Sequence, residues 1–264
     1  MWRVVYPCGI HFLIGQFVAA VGLVVFTYGT GGKGSGLVSH TILLTGIANL
    51  LTMIPCIRLY KRDHCLRVAG GLLHRQKGRK LEAMEGALLL VMGAACATFA
   101  NMLVALFQNV LHAQEYQESM EQIMNGQSYF MLILGMGILA PIVEEMVFRW
   151  LIYLRLRDYM KAGAAAVISG VFFGVYHMNL FQAVYASILG IVFAYFLEIT
   201  GSLWASVLLH MGANICSLVL PHLLLALPEK YFVSGAMAIY AVLLTVLCAG
   251  CSYFKKRAYT ERCV

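Results

Sequence analysis

The stretch from Gly137 to Trp150 reads GILAPIVEEMVFRW, two adjacent glutamates and an arginine inside an otherwise apolar run. The run extends on both sides to about residues 128 to 152, enough to cross roughly 30 Å of hydrocarbon as a helix. A carboxylate at mid-bilayer costs about 2.5–3.5 kcal/mol, and neighbouring carboxylates repel, so Glu144 and Glu145 together demand a compensating role. Glu145 and Arg149 are i,i+4 and share a helix face, where a charge-assisted pair can form. Glu144 is turned about 100° from Glu145 and looks into a different part of the bundle, so the two carboxylates can do different work.

The rest of the chain extends this pattern. Its 264 residues are 61% hydrophobic and 12% charged, which excludes a water-soluble fold, a disordered chain and a disulfide scaffold. Apolar segments of spanning length fall near residues 8–30, 37–57, 84–111, 128–152, 163–180, 182–200, 203–226 and 232–254. The expected fold is therefore all-α: a polytopic membrane protein of about eight transmembrane helices in one bundle, with residues 1–264 forming a single transmembrane domain. The N-terminal run is too long for a signal-peptide core and is expected to stay as the first span. GTGGKGSG, beginning at Gly29, and LPEK, beginning at Leu227, read as tight turns between spans. The eight cysteines sit mostly in apolar runs and read as buried thiols.

Charge tests the topology. All the Lys and Arg residues except Lys33 and Lys230 fall at alternate span ends: Arg3, the basic loop Arg58 to Lys80, Arg149 to Lys161, and the tail from Lys255. The loop from His112 to Gly126 carries Glu115, Glu118 and Glu121 and no Lys or Arg. The positive-inside rule then places both termini in the cytoplasm, and Trp2, Trp150 and Trp204 near that interface. A net charge of +7 is explained by this topology, so no nucleic-acid partner is expected; the basic loop meets anionic lipid heads of the plasma membrane instead.

The only aspartates, Asp63 and Asp158, fall in cytoplasmic loops on this reading, which excludes an intramembrane aspartyl protease. No HExxH occurs, and the surroundings of Ser169 and Gly170 fit a serine site poorly. Two further spans carry polar pairs at helical spacing. Phe173 and His177 are i,i+4 on the fifth, where Gly170 and Gly174 permit a close neighbour. His210 and Asn214 are i,i+4 on the seventh. Counted at 1.5 Å per residue from the basic ends, Glu144, His177, His210 and Asn214 share one slab of membrane, and three helices can bring them into one pocket. The competing structural reading is an interfacial cluster of Glu144, Glu145 and Arg149 anchored by Trp150 and Arg155. His11, His40, His222, Glu85 and Glu198 have less to recommend them, and Asn179 and Gln182 suit either a hairpin or a substrate contact.

In this order the motifs Glu144-Glu145-x-x-x-Arg149, Phe173-x-x-x-His177 and His210-x-x-x-Asn214 resemble the CAAX-protease and bacteriocin-processing family, also called the type II CAAX prenyl endopeptidase or Abi family. The likeness covers about residues 128–220, the expected catalytic core. It implies an intramembrane endopeptidase acting on a membrane-associated peptide or protein, lipidated or of signal or bacteriocin type. It further implies that Glu144 activates the attacking water with His177, that His210 and Asn214 stabilise the oxyanion, and that Glu145, Arg149 and Phe173 support them. A poorly hydrated carboxylate and paired donors suit that chemistry. No cofactor is required by it; the alternative is Zn²⁺ held by Glu144, His177 and His210. Two other functions stay open on the residues alone: a non-proteolytic immunity or scaffold protein, and an ion-coupled transporter.

Overall fold

The computed structural model describes residues 2–29, 40–71, 80–111 and 113–263. The Gly-rich turn with Lys33, the expected start of the second span at 37, and Arg75, Lys77 and Arg79 of the basic loop lie outside the described residues. The chain runs through helices α1 (Trp2–Gly29), α2 (Thr41–Ala69), α3 (Ala83–Ala105), α4 (Ala113–Met124), α5 (Tyr129–Arg157), α6 (Ala162–Tyr176), α7 (Leu180–Thr200), α8 (Leu203–Leu225) and α9 (Phe232–Cys263). Among the described residues there is no strand. Seven of these helices are long and apolar enough to span a membrane, so the chain is a multi-pass membrane protein.

The expected fifth crossing, residues 163–180, is shorter than a span. Helix α6 has 15 residues and so rises about 22 Å, less than the hydrocarbon thickness. It stops because the chain reverses within three residues. His177 closes its last turn, Met178 takes a left-handed φ of 57°, and the Asn179 side chain accepts the Gln182 N–H at 3.0 Å to cap α7. Asn179 thus serves the hairpin.

Two other segments differ from the sequence expectation. Helix α2 continues well past residue 57, to Ala69, which carries Asp63 onto a helix and not into a loop. Ion pairs hold that polar extension: Asp63, 2% exposed, meets Arg155 and Arg3, and Arg67 meets Asp158 at 2.8 Å. The acidic segment after residue 112 is not a loop but the amphipathic helix α4, whose Tyr116 ring stacks on Phe181 of α7 at 5.2 Å. Burial raises the Tyr116 phenol above its ordinary pKa.

Charged residues gather at one end of the bundle. Besides the pairs above, Arg157 meets Glu198 at 2.9 Å and Arg257 meets Glu85 at 2.7 Å, so ion pairs tie α1, α2, α5 and α7 in one group and α3 with α9 in another. Trp150 and Trp204 pack edge to face at the same end, with Tyr60 beside Trp150. Cys56 is buried as expected, while Cys65 and Cys248 are exposed on the outer face of their helices.

Two crossings fix the interior. Helices α6 and α7 touch through Gly170 and Gly174, whose small size lets the α7 backbone approach. Helices α3 and α8 meet reciprocally: a Cβ on Gly93 would strike the Leu209 carbonyl, and one on Gly212 would strike the Leu90 carbonyl. Gly93→Leu or Gly212→Leu is expected to lower the midpoint of thermal unfolding in detergent, at a cost of about 1–3 kcal/mol or more for overpacking; an unchanged midpoint would contradict this crossing.

Candidate active site

Helix α5 is not uniform. The Ala140 N–H bonds the Gly135 carbonyl and the Leu154 N–H bonds the Arg149 carbonyl, both five residues back, so two π-helical turns flank the α-helical segment Ala140–Glu145. Such turns widen the helix and re-aim its side chains. Between them Glu144 and Glu145 turn toward α8, where both reach the same ring. His210 Nδ1 lies 2.9 Å from Glu145 Oε1, and His210 Nε2 lies 3.6 Å from Glu144 Oε2. The two carboxylates do face different directions, but from opposite sides of one imidazole.

Arg149 completes the group from one turn further along α5. It is fully buried, with Nη1 3.0 Å from Glu145 Oε1. The contact is coulombic and not a directed hydrogen bond: among the described residues none of the three guanidinium nitrogens aligns with an acceptor, and Glu145 Oε2 is likewise unmatched. Aromatic faces cover the cation instead. Its carbon sits 4.5 Å from the Phe173 ring centre and 5.4 Å from that of Phe193. Gly190, one turn before Phe193, leaves the space: a Cβ there would lie 2.7 Å from Arg149 Nη2.

Phe173 organises the remainder. Its ring packs edge to face on His210 at 5.4 Å and on His177 at 4.9 Å. His177 Nδ1 lies 2.8 Å from the Phe173 carbonyl, which can only accept, so Nδ1 carries the proton and Nε2 holds the lone pair in the neutral ring. No hydrogen bond or ion pair joins His177 to Glu144 among the described residues; Phe173 links them indirectly. Asn214 lies one turn beyond His210 and its Nδ2 donates to the Met136 carbonyl of α5 at 2.8 Å. Asn214 also lines a cavity of about 490 Å³ beneath α4, together with Met136, Tyr116, Gln182 and Tyr185.

The structure therefore gathers Glu144, Glu145, Arg149, Phe173 and His210 in direct contact, with His177 and Asn214 at the edges. Among the described residues no three His, Cys, Asp or Glu side chains are grouped so as to hold a metal ion, and this includes Glu144, His177 and His210. Sequence reasoning missed Phe193, Gly190 and Met136, none of which bears a titratable group. The minor candidates pair elsewhere: His11 with Asn49 and Tyr176, His40 with Phe26, His222 with Tyr129, and Glu198 with Tyr153 and Arg157.

Comparison with known proteins falls on this same part of the chain. Residues 126–216 match the Type II CAAX prenyl endopeptidase Rce1-like family. All seven motif residues lie within that match. Over 88 residues the chain is 30% identical to the "Putative membrane peptidase YdiL" of Bacillus subtilis (strain 168). The aligned stretch is 33% of this chain and 36% of that relative, so the likeness spans about a third of either protein. No solved structure matches the chain.

Removing Arg149 leaves the carboxylate of Glu145 in the dry interior with His210 as its remaining partner. Arg149→Ala is expected to cost about 3–5 kcal/mol and to reduce accumulation, whereas Arg149→Lys retains a charge but fits the space between Phe173 and Phe193 less well. Thermal unfolding of the purified variants measures both, and an Arg149→Ala protein as stable as the parent would remove the pairing role.

Proposed function

We propose that the protein is an intramembrane endopeptidase of the plasma membrane, with both termini at the cytoplasmic face and a catalytic core in residues 128–220, that hydrolyses a peptide bond of a membrane-associated peptide or protein. The observation that carries the reading is the pair of carboxylates on the two nitrogens of His210. With Glu145 ionised, Nδ1 donates to it, and a second proton on Nε2 makes the ring cationic. Two carboxylates, one guanidinium and one imidazolium then sum to zero, so the buried group carries no net charge.

Within that frame each residue has a task. Glu144 retains 19% side-chain exposure while Glu145 has none, so Glu144 is the carboxylate that a water can reach. It takes the proton of that water as the oxygen attacks the scissile carbonyl carbon, and it returns the proton to the leaving amine as the C–N bond breaks. His177, with its lone pair on Nε2, assists in orienting the water. The protonated Nε2 of His210 and an N–H of Asn214 donate to the oxyanion. Glu145 and Arg149 hold His210 in place, and Phe173 sets the two imidazoles at fixed angles. No step requires a metal ion.

Substrate peptides are to be found by incubating reconstituted protein with a library of single-span and lipidated peptides and reading the products by mass spectrometry. Glu144→Gln and His177→Ala are each expected to lower cleavage about 10²–10⁴-fold with an unchanged unfolding midpoint. A Glu144→Gln protein that cleaves normally, or a parent that cleaves nothing while Glu144-dependent ion uptake is seen, rejects the protease reading. Cleavage is also expected to survive chelation, with less than one metal ion per chain; stoichiometric zinc whose removal stops turnover would reverse the metal-free assignment.

A further inference from the structure

Helix α5 lacks one backbone donor just before its two glutamates. In the π-helical turn Ile133–Leu139, N–H groups bond carbonyls five residues back, as Ala140 does to Gly135. The next bond in that series would run from residue 141 to the carbonyl of Met136. Residue 141 is proline, which has no N–H. A half-buried carbonyl left without a donor inside the bundle is costly, so a donor from elsewhere is favoured there. That group is Asn214 of α8, whose Nδ2 donates to the Met136 oxygen at 2.8 Å.

An asparagine amide is planar and has two N–H bonds. Once one of them is tied to Met136, the direction of the other is fixed. We infer that Pro141 is a positioning residue: by withholding its N–H it leaves the Met136 carbonyl to clamp the Asn214 amide, so that the second N–H is pre-aimed for the reacting carbonyl. The inference rests on the proposed oxyanion role of Asn214. Pro141 and Glu144 are three residues apart on one helix, so the same element that presents the base also orients the donor arriving from α8.

The test is a double-mutant cycle of Pro141→Ala and Asn214→Ala, read by unfolding midpoint and by kcat and KM on a peptide that the parent cleaves. Alanine restores an N–H that competes for the Met136 carbonyl and releases Asn214. Pro141→Ala is expected to lower kcat about 10-fold, less than the about 10²–10³-fold typical of losing an oxyanion donor outright, with KM within about twofold. In the Asn214→Ala background it should change kcat no further. The midpoints should couple too: Asn214→Ala destabilises when Pro141 is present and much less in the Pro141→Ala background, where the restored N–H satisfies Met136. Should Pro141→Ala accumulate poorly, Asn214→Leu alone decides, because losing the donor must lower the midpoint; an unchanged midpoint overturns the clamp. Additive kcat effects in an active enzyme overturn the positioning role and leave the protease reading intact. Coupled midpoints in a parent that cleaves nothing overturn the catalytic part with the protease reading, while the Pro141–Met136–Asn214 link stands.

Discussion

The structure turns on a guanidinium buried where water is scarce. Arg149 has no aligned hydrogen bond among the described residues, yet it lies within ion-pair distance of Glu145 and is roofed by Phe173 and Phe193. That arrangement dictates what its neighbours can be. Glu145 must stay ionised to balance it, His210 must then donate to Glu145, and Gly190 must remain without a side chain for the cation to fit. The second carboxylate, Glu144, meets the other nitrogen of the same ring at 3.6 Å and keeps 19% side-chain exposure.

Much of this is legible in the sequence because charge inside an apolar span is costly enough to be conspicuous. Glu144, Glu145, Arg149, His177, His210 and Asn214 stand out against their surroundings, and helical spacing alone pairs Glu145 with Arg149 and His210 with Asn214. The α6–α7 contact through Gly170 and Gly174 is readable for a similar reason, since small residues on one face admit a neighbour. What spacing cannot supply is the π-helical character of α5. Nor does spacing supply the shared partner: both glutamates bear on one imidazole instead of on separate parts of the bundle.

The departures from expectation share a cause as well. A polar stretch ordinarily ends a span, which puts Asp63 in a loop, but its pairing with Arg155 allows the helix to continue. The acidic segment in α4 reads as a loop because its apolar residues are few; they are enough to lay one face on α7. Asn214 is legible as a donor, whereas its recipient on α5 is not, because a main-chain carbonyl released by a proline three helices earlier in the chain leaves no mark in the residue pattern. Phe193 and Gly190 are invisible for the same reason: their contribution is shape, and shape is apparent only once Arg149 is in place.

The short helix α6 has an effect on its surroundings. It turns Val167, Val171 and Val175 outward along a rod about 22 Å tall, beside partners of full spanning length. Acyl chains against that flank have less apolar height to match than chains elsewhere around the protein, and so they compress. A thinner lipid collar is therefore expected along this flank, beside the helix whose last turn His177 closes.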